Sequence, residues 1–253
     1  MASRKGVALV TGGARRIGAA IVRDLAQSGF AVAIHHSGSR EAAAALAREL
    51  AEGGCKAVPL QADLMDRSAL DALVARAREA LGTIDLLVNN ASVFEPDQAS
   101  APDMEKWQRH FSIHLEAPAL LAARIAGQHD LQAGLIVNMI DQRVWRLNPN
   151  FFSYTLSKSA LWTATRTMAQ GLAPRIRVNA IGPGPTLPNE RQAPADFQAQ
   201  LSGLLLRRGP ELGEFGRTIR YLYETPSITG QMIALDGGQH LAWETPDVTG
   251  MAE

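Results

Sequence analysis

The chain has 253 residues, 46% of them hydrophobic and 20% charged, enough for one large α/β domain with a substantial buried core. Lys plus Arg and Asp plus Glu balance at 25 each, which leaves no net field to draw nucleic acid or an anionic membrane. The single cysteine, Cys55, excludes an intrachain disulfide and fits a reducing compartment, so a cytoplasmic protein with neither nucleic-acid nor membrane partner is expected.

The opening MASRKGVALV carries two positive charges, but its apolar run is broken at once by Thr11-Gly12-Gly13 and reads as neither signal peptide nor membrane span. From there, short apolar runs alternate with stretches of helical spacing. Strands are predicted at Val7–Val10, Ala31–His35, Ala57–Gln61, Leu86–Asn89, Leu135–Met139, Arg177–Ile181 and Met232–Asp236. Ile17, Ile21 and Leu25 form a helical stripe after the first strand, and Leu70, Leu73, Val74, Ala77 and Leu81 form another after the third. Most of these strands are apolar throughout, as strands covered on both faces should be. This rhythm predicts a Rossmann-type doubly wound α/β fold: one domain over residues 1–253, a seven-stranded parallel sheet with helices on both faces, and ligands beyond the carboxyl ends of the strands. Five prolines between Gly182 and Pro210 interrupt the pattern, and a flexible substrate lid is expected over about 185–210.

The stretch VALVTGGARRIG is strand, glycine turn, helix, the arrangement that brings backbone N–H groups and a helix N-terminus to a pyrophosphate. Second-strand residues VAIHHSGSR offer His35, His36, Ser37, Ser39 and Arg40 but no carboxylate, so a 2′-phosphate finds donors where an NAD site would place an acid. NADP(H) is the expected cofactor. Tyr154 and Lys158 lie four apart on one helix face, and a lysine ammonium beside a phenol is expected to pull its pKa down from about 10. Asp141 follows the fifth strand, where a serine hydroxyl usually accompanies such a pair.

Thr11-Gly12-x-x-x-Arg16-Ile17-Gly18 resembles the TGxxxGxG turn of the short-chain dehydrogenase/reductase family, with Arg16 for the middle glycine. The resemblance runs from Val7 to the ITGQMIALDGG near the C-terminus. It implies that Gly12, Arg15, Arg16, Ile17 and Gly18 bind the cofactor, that Asp63 and Leu64 hold the adenine, and that Asn89, Ala91 and Ser92 line the ribose and nicotinamide. Tyr154, Lys158, Pro183 and Gly184 are cofactor residues on the same ground, with Lys158 on the nicotinamide ribose.

Arg16, the NNASVF run with Phe94, Asp141 in NMID, and the GPGP at Gly182–Pro185 resemble the pteridine reductase branch, which includes dihydromonapterin reductases. That resemblance implies Phe94 stacked on one face of a pterin, with Arg16, Ser92, Asp141, Tyr154, Pro185 and Leu187 around it. A carboxyl group at Asp141 has a chemical reason there, because reducing a C=N bond requires a proton at a ring nitrogen; the bland alternative is an Asp capping the next turn. His114 stands where many family members carry an asparagine of a water relay to the lysine, and Gly38 where some pteridine reductases carry an arginine. The catalytic set is thus Asp141, Tyr154 and Lys158, with no metal and a homotetramer implied by the family. The reading is an NADPH-dependent reductase of a dihydropterin. An alcohol or carbonyl dehydrogenase, and a non-catalytic NADP(H)-binding protein, are the alternatives.

Overall fold

Val7 and Leu9 pack on one side of the first strand and Ala8 and Val10 on the other, and all four are buried. The same division repeats across the sheet, since residues of period two on a strand covered on both faces must serve two cores. A computed structural model describes residues 5–188 and 192–244. Its elements run β1 (Gly6–Val10), α1 (Arg16–Gln27), β2 (Phe30–His36), α2 (Arg40–Glu52), β3 (Ala57–Gln61), α3 (Arg67–Leu81) and β4 (Leu86–Asn89). There follow α4 (Met104–Phe111), a π-helical turn at Ser112–Glu116, α5 (Ala117–Ala126), β5 (Gly134–Met139) and a 3₁₀ turn at Gln142–Val144. The chain continues through α6 (Phe152–Gly171), β6 (Ile176–Pro183), α7 (Pro194–Ser202), α8 (Leu212–Glu224) and β7 (Met232–Leu235).

All strand pairs are parallel, in the order β3-β2-β1-β4-β5-β6-β7. The fold is therefore the Rossmann-type doubly wound sheet that the alternation predicts. Helices α1, α2 and α8 cover one face through Ile21, Leu25, Leu46, Phe215 and Ile219, and α3 and α5 cover the other through Leu73, Ala77 and Leu121. Each fully buried aliphatic side chain of these layers contributes roughly 1.5–3 kcal/mol. The order reverses direction between β1 and β4, and the crevice at their carboxyl ends is where such sheets receive ligands.

Most strand ends fall within one residue of expectation, and two regions depart further. β6 runs two residues beyond Ile181, because Gly182 and Pro183 pair with Ala234 and Leu235 of β7. The segment expected as an irregular lid contains α7, which starts with Pro194 at its first position, where a missing N–H costs nothing. Residues 189–191 of that segment lie outside the described residues. No helix among the described residues is long and apolar enough to cross a membrane.

Candidate active site

The turn after β1 is shaped by what glycine permits. Gly12 stands at φ +60°, where a Cβ would meet Ala91 Cα at 3.0 Å, and a Cβ on Gly18 would lie 2.1 Å from Gly12 O. Arg16 holds φ +52° in place of the family glycine, a left-handed conformation that costs a non-glycine residue roughly 1–2 kcal/mol. Its guanidinium reaches away from the turn and donates to Leu187 O (3.3 Å) and Pro188 O (3.0 Å). The turn is thereby tied to the start of the predicted lid.

Neutral side chains brace this turn from behind. Gly12 N–H donates to His35 Nδ1 (3.1 Å), which leaves the proton on Nε2 to be donated to Ala62 O (3.2 Å). Burial lowers the His35 pKa to about 4, so the ring stays neutral. His35 lines the cleft as expected, but both ring nitrogens are engaged and it offers no free donor to a phosphate. Asn90 clamps the other side. Its Nδ2 donates to Thr11 O (2.9 Å) and Gly12 O (3.0 Å), and its backbone N–H donates to Thr11 Oγ1 (2.9 Å).

A cleft of about 460 Å³ opens in front of the turn, lined by Gly12, Arg15, Arg16, Ile17, Gly18, His35, Ser37, Asp63, Leu64, Asn90, Ala91 and Ser92 among others. Helix α1 begins at its edge with no side-chain cap and no acidic residue in its first turn. The donor set fits an anionic dinucleotide: glycines leave space, a helix N-terminus faces the cleft, and Arg15 and Arg16 supply positive charge. Of the other residues expected on the cofactor, His36 is buried, Ser39 precedes α2 without a side-chain capping bond and Arg40 is exposed, all beside rather than in the lining. Asn89 is a correction. Its side chain turns into the sheet and donates to Asn138 Oδ1 (2.8 Å), which joins β4 to β5, and Asn90 takes the place at the cleft.

A second cavity of about 500 Å³ adjoins the first and shares Arg16, Ile17, Asn90 and Ser92 with it. It is lined by the expected Phe94, Asp141, Tyr154, Lys158, Pro183, Gly184, Pro185 and Leu187. Residues outside the sequence-based set also line it: Met139, Arg143, Thr186, Gln192, Phe197, Gln200 and Gln239. The exposed Arg207 and Arg208 lie outside it.

Asp141 caps the next turn with one oxygen and contacts Tyr154 with the other. One oxygen, Oδ1, accepts from Arg143 N–H (2.8 Å) and caps the 3₁₀ turn. The other, Oδ2, accepts from Tyr154 Oη (2.8 Å) and from Arg143 Nη1 (3.1 Å). Burial, then the Asp141 charge, hold the Tyr154 pKa well above the usual phenol value. The expectation that Lys158 depresses it is therefore corrected: in this arrangement the proton sits on Tyr154. Lys158 donates to Met139 O (2.8 Å) instead, and burial lowers its pKa to about 8 against the pull of Asp141.

Phe94 stacks on Phe151 (ring centres 4.3 Å apart, 15° between planes) and meets Tyr154 edge-on at 4.8 Å. It is thus both cavity wall and part of an aromatic cluster. His114 is buried behind the site, in the π-helical turn. Val93 N–H donates to its Nε2 (3.2 Å), which places the proton on Nδ1; Nδ1 then donates to Ser157 Oγ (2.8 Å), and that hydroxyl donates to Tyr154 O (2.7 Å). The chain ends on a backbone carbonyl, which has no proton to pass on, and it does not touch Lys158. This geometry supports His114 as a brace for Ser92, 3.0 Å from its Nε2, and for Tyr154 rather than as a relay. Among the described residues no group of His, Cys, Asp and Glu is arranged to hold a metal.

Comparison with known proteins identifies the family. The family described as "short chain dehydrogenase" matches residues 6–197. A dihydromonapterin reductase of Klebsiella pneumoniae is 30% identical over 237 residues, covering 92% of this chain and 96% of its own length. A 3-oxoacyl-[acyl-carrier-protein] reductase of Synechocystis is also 30% identical, with the same coverage. The crystal structure of FolM alternative dihydrofolate reductase 1 from Brucella suis, in complex with NADP, superposes with a TM-score of 0.94 at 60% identity, covering 97% of this chain and 99% of that one.

Proposed function

The chain belongs to the short-chain dehydrogenase family, and from that premise we propose that it is an NADPH-dependent reductase of a dihydropterin. The observation that carries the reading is Tyr154 Oη hydrogen-bonded to Asp141 Oδ2 at 2.8 Å on the wall of a cavity that also presents Phe94. A ketone reductase needs a neutral hydroxyl there to polarise a carbonyl. A carboxylate sharing the proton of a tyrosine suits delivery to a ring nitrogen. The names of the Klebsiella and Brucella relatives, a dihydromonapterin reductase and an alternative dihydrofolate reductase bound to NADP, point the same way.

Bound NADPH would supply a hydride to the carbon of the substrate C=N bond. Tyr154 gives its proton to the neighbouring nitrogen while Asp141 holds the hydroxyl in line, and water restores the proton afterwards. Lys158, protonated below about 8, would hold the ribose of the cofactor and adds positive charge beside Tyr154. Phe94 offers a flat apolar surface to the heterocycle, and Arg16 links the glycine turn to residues 187 and 188 of the lid. A homotetramer is part of the proposal and is checked by light scattering.

The test is a substrate panel with NADPH and NADH, using dihydromonapterin, dihydrobiopterin and simple ketones. Turnover of a dihydropterin with NADPH is expected. Turnover confined to ketones would overturn the pterin assignment in favour of carbonyl reduction.

A further inference from the structure

An aspartate in place of a serine hydroxyl creates an electrostatic difficulty. A full negative charge beside Tyr154 Oη opposes the charge that builds on the phenol as its proton leaves. Two residues along the chain, Arg143 answers that charge. Its Nη1 donates to Asp141 Oδ2 (3.1 Å), the same oxygen that accepts from Tyr154, and its backbone N–H holds Oδ1 (2.8 Å). Both side chains are mostly buried, 19% and 12% exposed, so water screens the pair little. The guanidinium carbon also lies 5.1 Å from the Phe94 ring centre and 5.2 Å from that of Phe151. With the two rings stacked 4.3 Å apart, near-equal distances put the cation beside the stack and not on the outer face of Phe94.

We infer that Arg143 is the positioning residue that makes an aspartate workable in the serine position: it fixes the carboxylate on Tyr154, offsets its charge and ties both to the Phe94 wall. The inference rests on the pteridine reading above. Arg143 exchanges no proton itself; the proton leaves Tyr154 Oη for the substrate nitrogen and is replaced from water. The other groups facing Tyr154 are Ser92 from the loop after β4, His110 and His114 from α4 and the π-helical turn, and Lys158 from its own helix. Burial holds both histidines below the usual imidazole range, and Lys158 donates to Met139 O. Arg143 is therefore the cation hydrogen-bonded to Asp141 among the described residues.

The test compares wild type, Asp141→Ser, Arg143→Gln, Arg143→Lys and the double variant Asp141→Ser/Arg143→Gln. For each, kcat for NADPH-dependent reduction of dihydrobiopterin is measured against pH, and the thermal midpoint is measured without cofactor. Arg143→Gln should lower kcat about tenfold near neutrality, and adding Asp141→Ser should restore part of the loss, at least about threefold. Lys158, held at about 8, is the first of the groups facing Tyr154 to lose its proton as the pH rises above neutrality; removing Arg143 leaves more of the Asp141 charge to act on it, which strengthens its hold on that proton. The alkaline limb of the Arg143→Gln profile should therefore move up by about one pH unit, while Arg143→Lys keeps it in place. A purely packing role would lower kcat at every pH and leave the limb where it was. An unmoved limb, or a double variant whose loss is the product of the single losses, overturns the inference.

Unfolding gives a readout free of substrate. Arg143→Gln leaves a buried carboxylate unpaired and should melt below the double variant; the reverse order also overturns the inference. If wild type fails to reduce any dihydropterin, the pteridine reading falls by itself, and the order of melting still decides the Asp141–Arg143 pair.

Discussion

The glycine turn between β1 and α1 and the segment between β5 and α6 lie at the carboxyl ends of one sheet, yet they are built by opposite means. The first is made of backbone and neutral groups: Gly12 and Gly18 leave space, His35 is held uncharged, and the Asn90 amide clamps two carbonyls. The second is made of charge, with Asp141, Arg143 and Lys158 gathered around a tyrosine that burial keeps protonated. A neutral cradle leaves its own dipoles and nearby cations to act on a bound anion. A charged cluster sets where a proton sits. If that division is right, damage to one region should leave the other's task largely intact.

The largest separation is expected from Tyr154→Phe. It removes the only hydroxyl bonded to Asp141 among the described residues and should lower kcat by roughly 10²–10⁴-fold. NADPH affinity, read by fluorescence titration, should stay within about threefold of wild type. A parallel loss of affinity would show that Tyr154 belongs to the cradle as much as to the chemistry.

The converse is Gly18→Ala. Its Cβ would stand 2.1 Å from Gly12 O and 2.6 Å from Asn90 Nδ2, and the first of these is backbone that has nowhere to go. Opening the turn should weaken NADPH binding on the order of 100-fold, with overpacking costs of about 1–3 kcal/mol and a thermal midpoint lower by several degrees. At saturating NADPH, kcat should recover most of its value. A kcat that stays low at saturation would mean that the turn also sets the geometry of hydride transfer.

The same contrast explains what the sequence discloses. Continuous apolar runs such as Val7 to Val10 specify strands covered on both faces, and the glycine spacing specifies the turn, because backbone sterics are local. Tyr154, Lys158 and Asp141 are legible as residue types at fixed spacing. Their ionisation is not legible, since the Tyr154 pKa depends on burial and on charges that only the tertiary fold brings together. That is why a depressed phenol is the natural expectation from Tyr-x-x-x-Lys and a raised one is what burial beside Asp141 produces. Asn89 and Asn90 show the limit within one dipeptide: adjacent strand-end side chains point opposite ways, and the β4–β5 pairing turns Asn89 inward. Arg143 had a faint signal in its opposite charge two residues from Asp141. The glutamines of the cavity wall, Gln192, Gln200 and Gln239, had none, because separate segments bring them together only in the tertiary fold.

A smaller effect is expected from His35, and it concerns stability. Its pKa is about 4 in the fold against 6.5 for the free group, so between these values the unfolded chain binds more protons and stability falls as the pH falls. The contribution is fully present above 6.5, and its loss on descending to about 4 amounts to roughly 3 kcal/mol. Denaturant unfolding at several pH values should show a steeper acid loss for wild type than for His35→Gln. Equal slopes would mean that the ring titrates freely and that Gly12 is not held by it.

The smallest effect is expected at the 2′-phosphate end, where the cradle needs charge after all. Ser37 lines the cleft, and Arg40 stands exposed at the start of α2, with Glu41 beside it in the first helical turn. An exposed cation with a carboxylate for a neighbour is well screened, and such interactions are worth about 1 kcal/mol or less. Arg40→Ala should therefore lower the preference for NADPH over NADH, compared as kcat/KM, by no more than about fivefold, and should leave NADH kinetics unchanged. The preference should also weaken with added salt in wild type more than in the variant. Should Arg40→Ala abolish the preference outright, Arg40 would have to close over the phosphate and shed its solvent, and this end of the cleft would then work by charge, as the Asp141–Tyr154 region does.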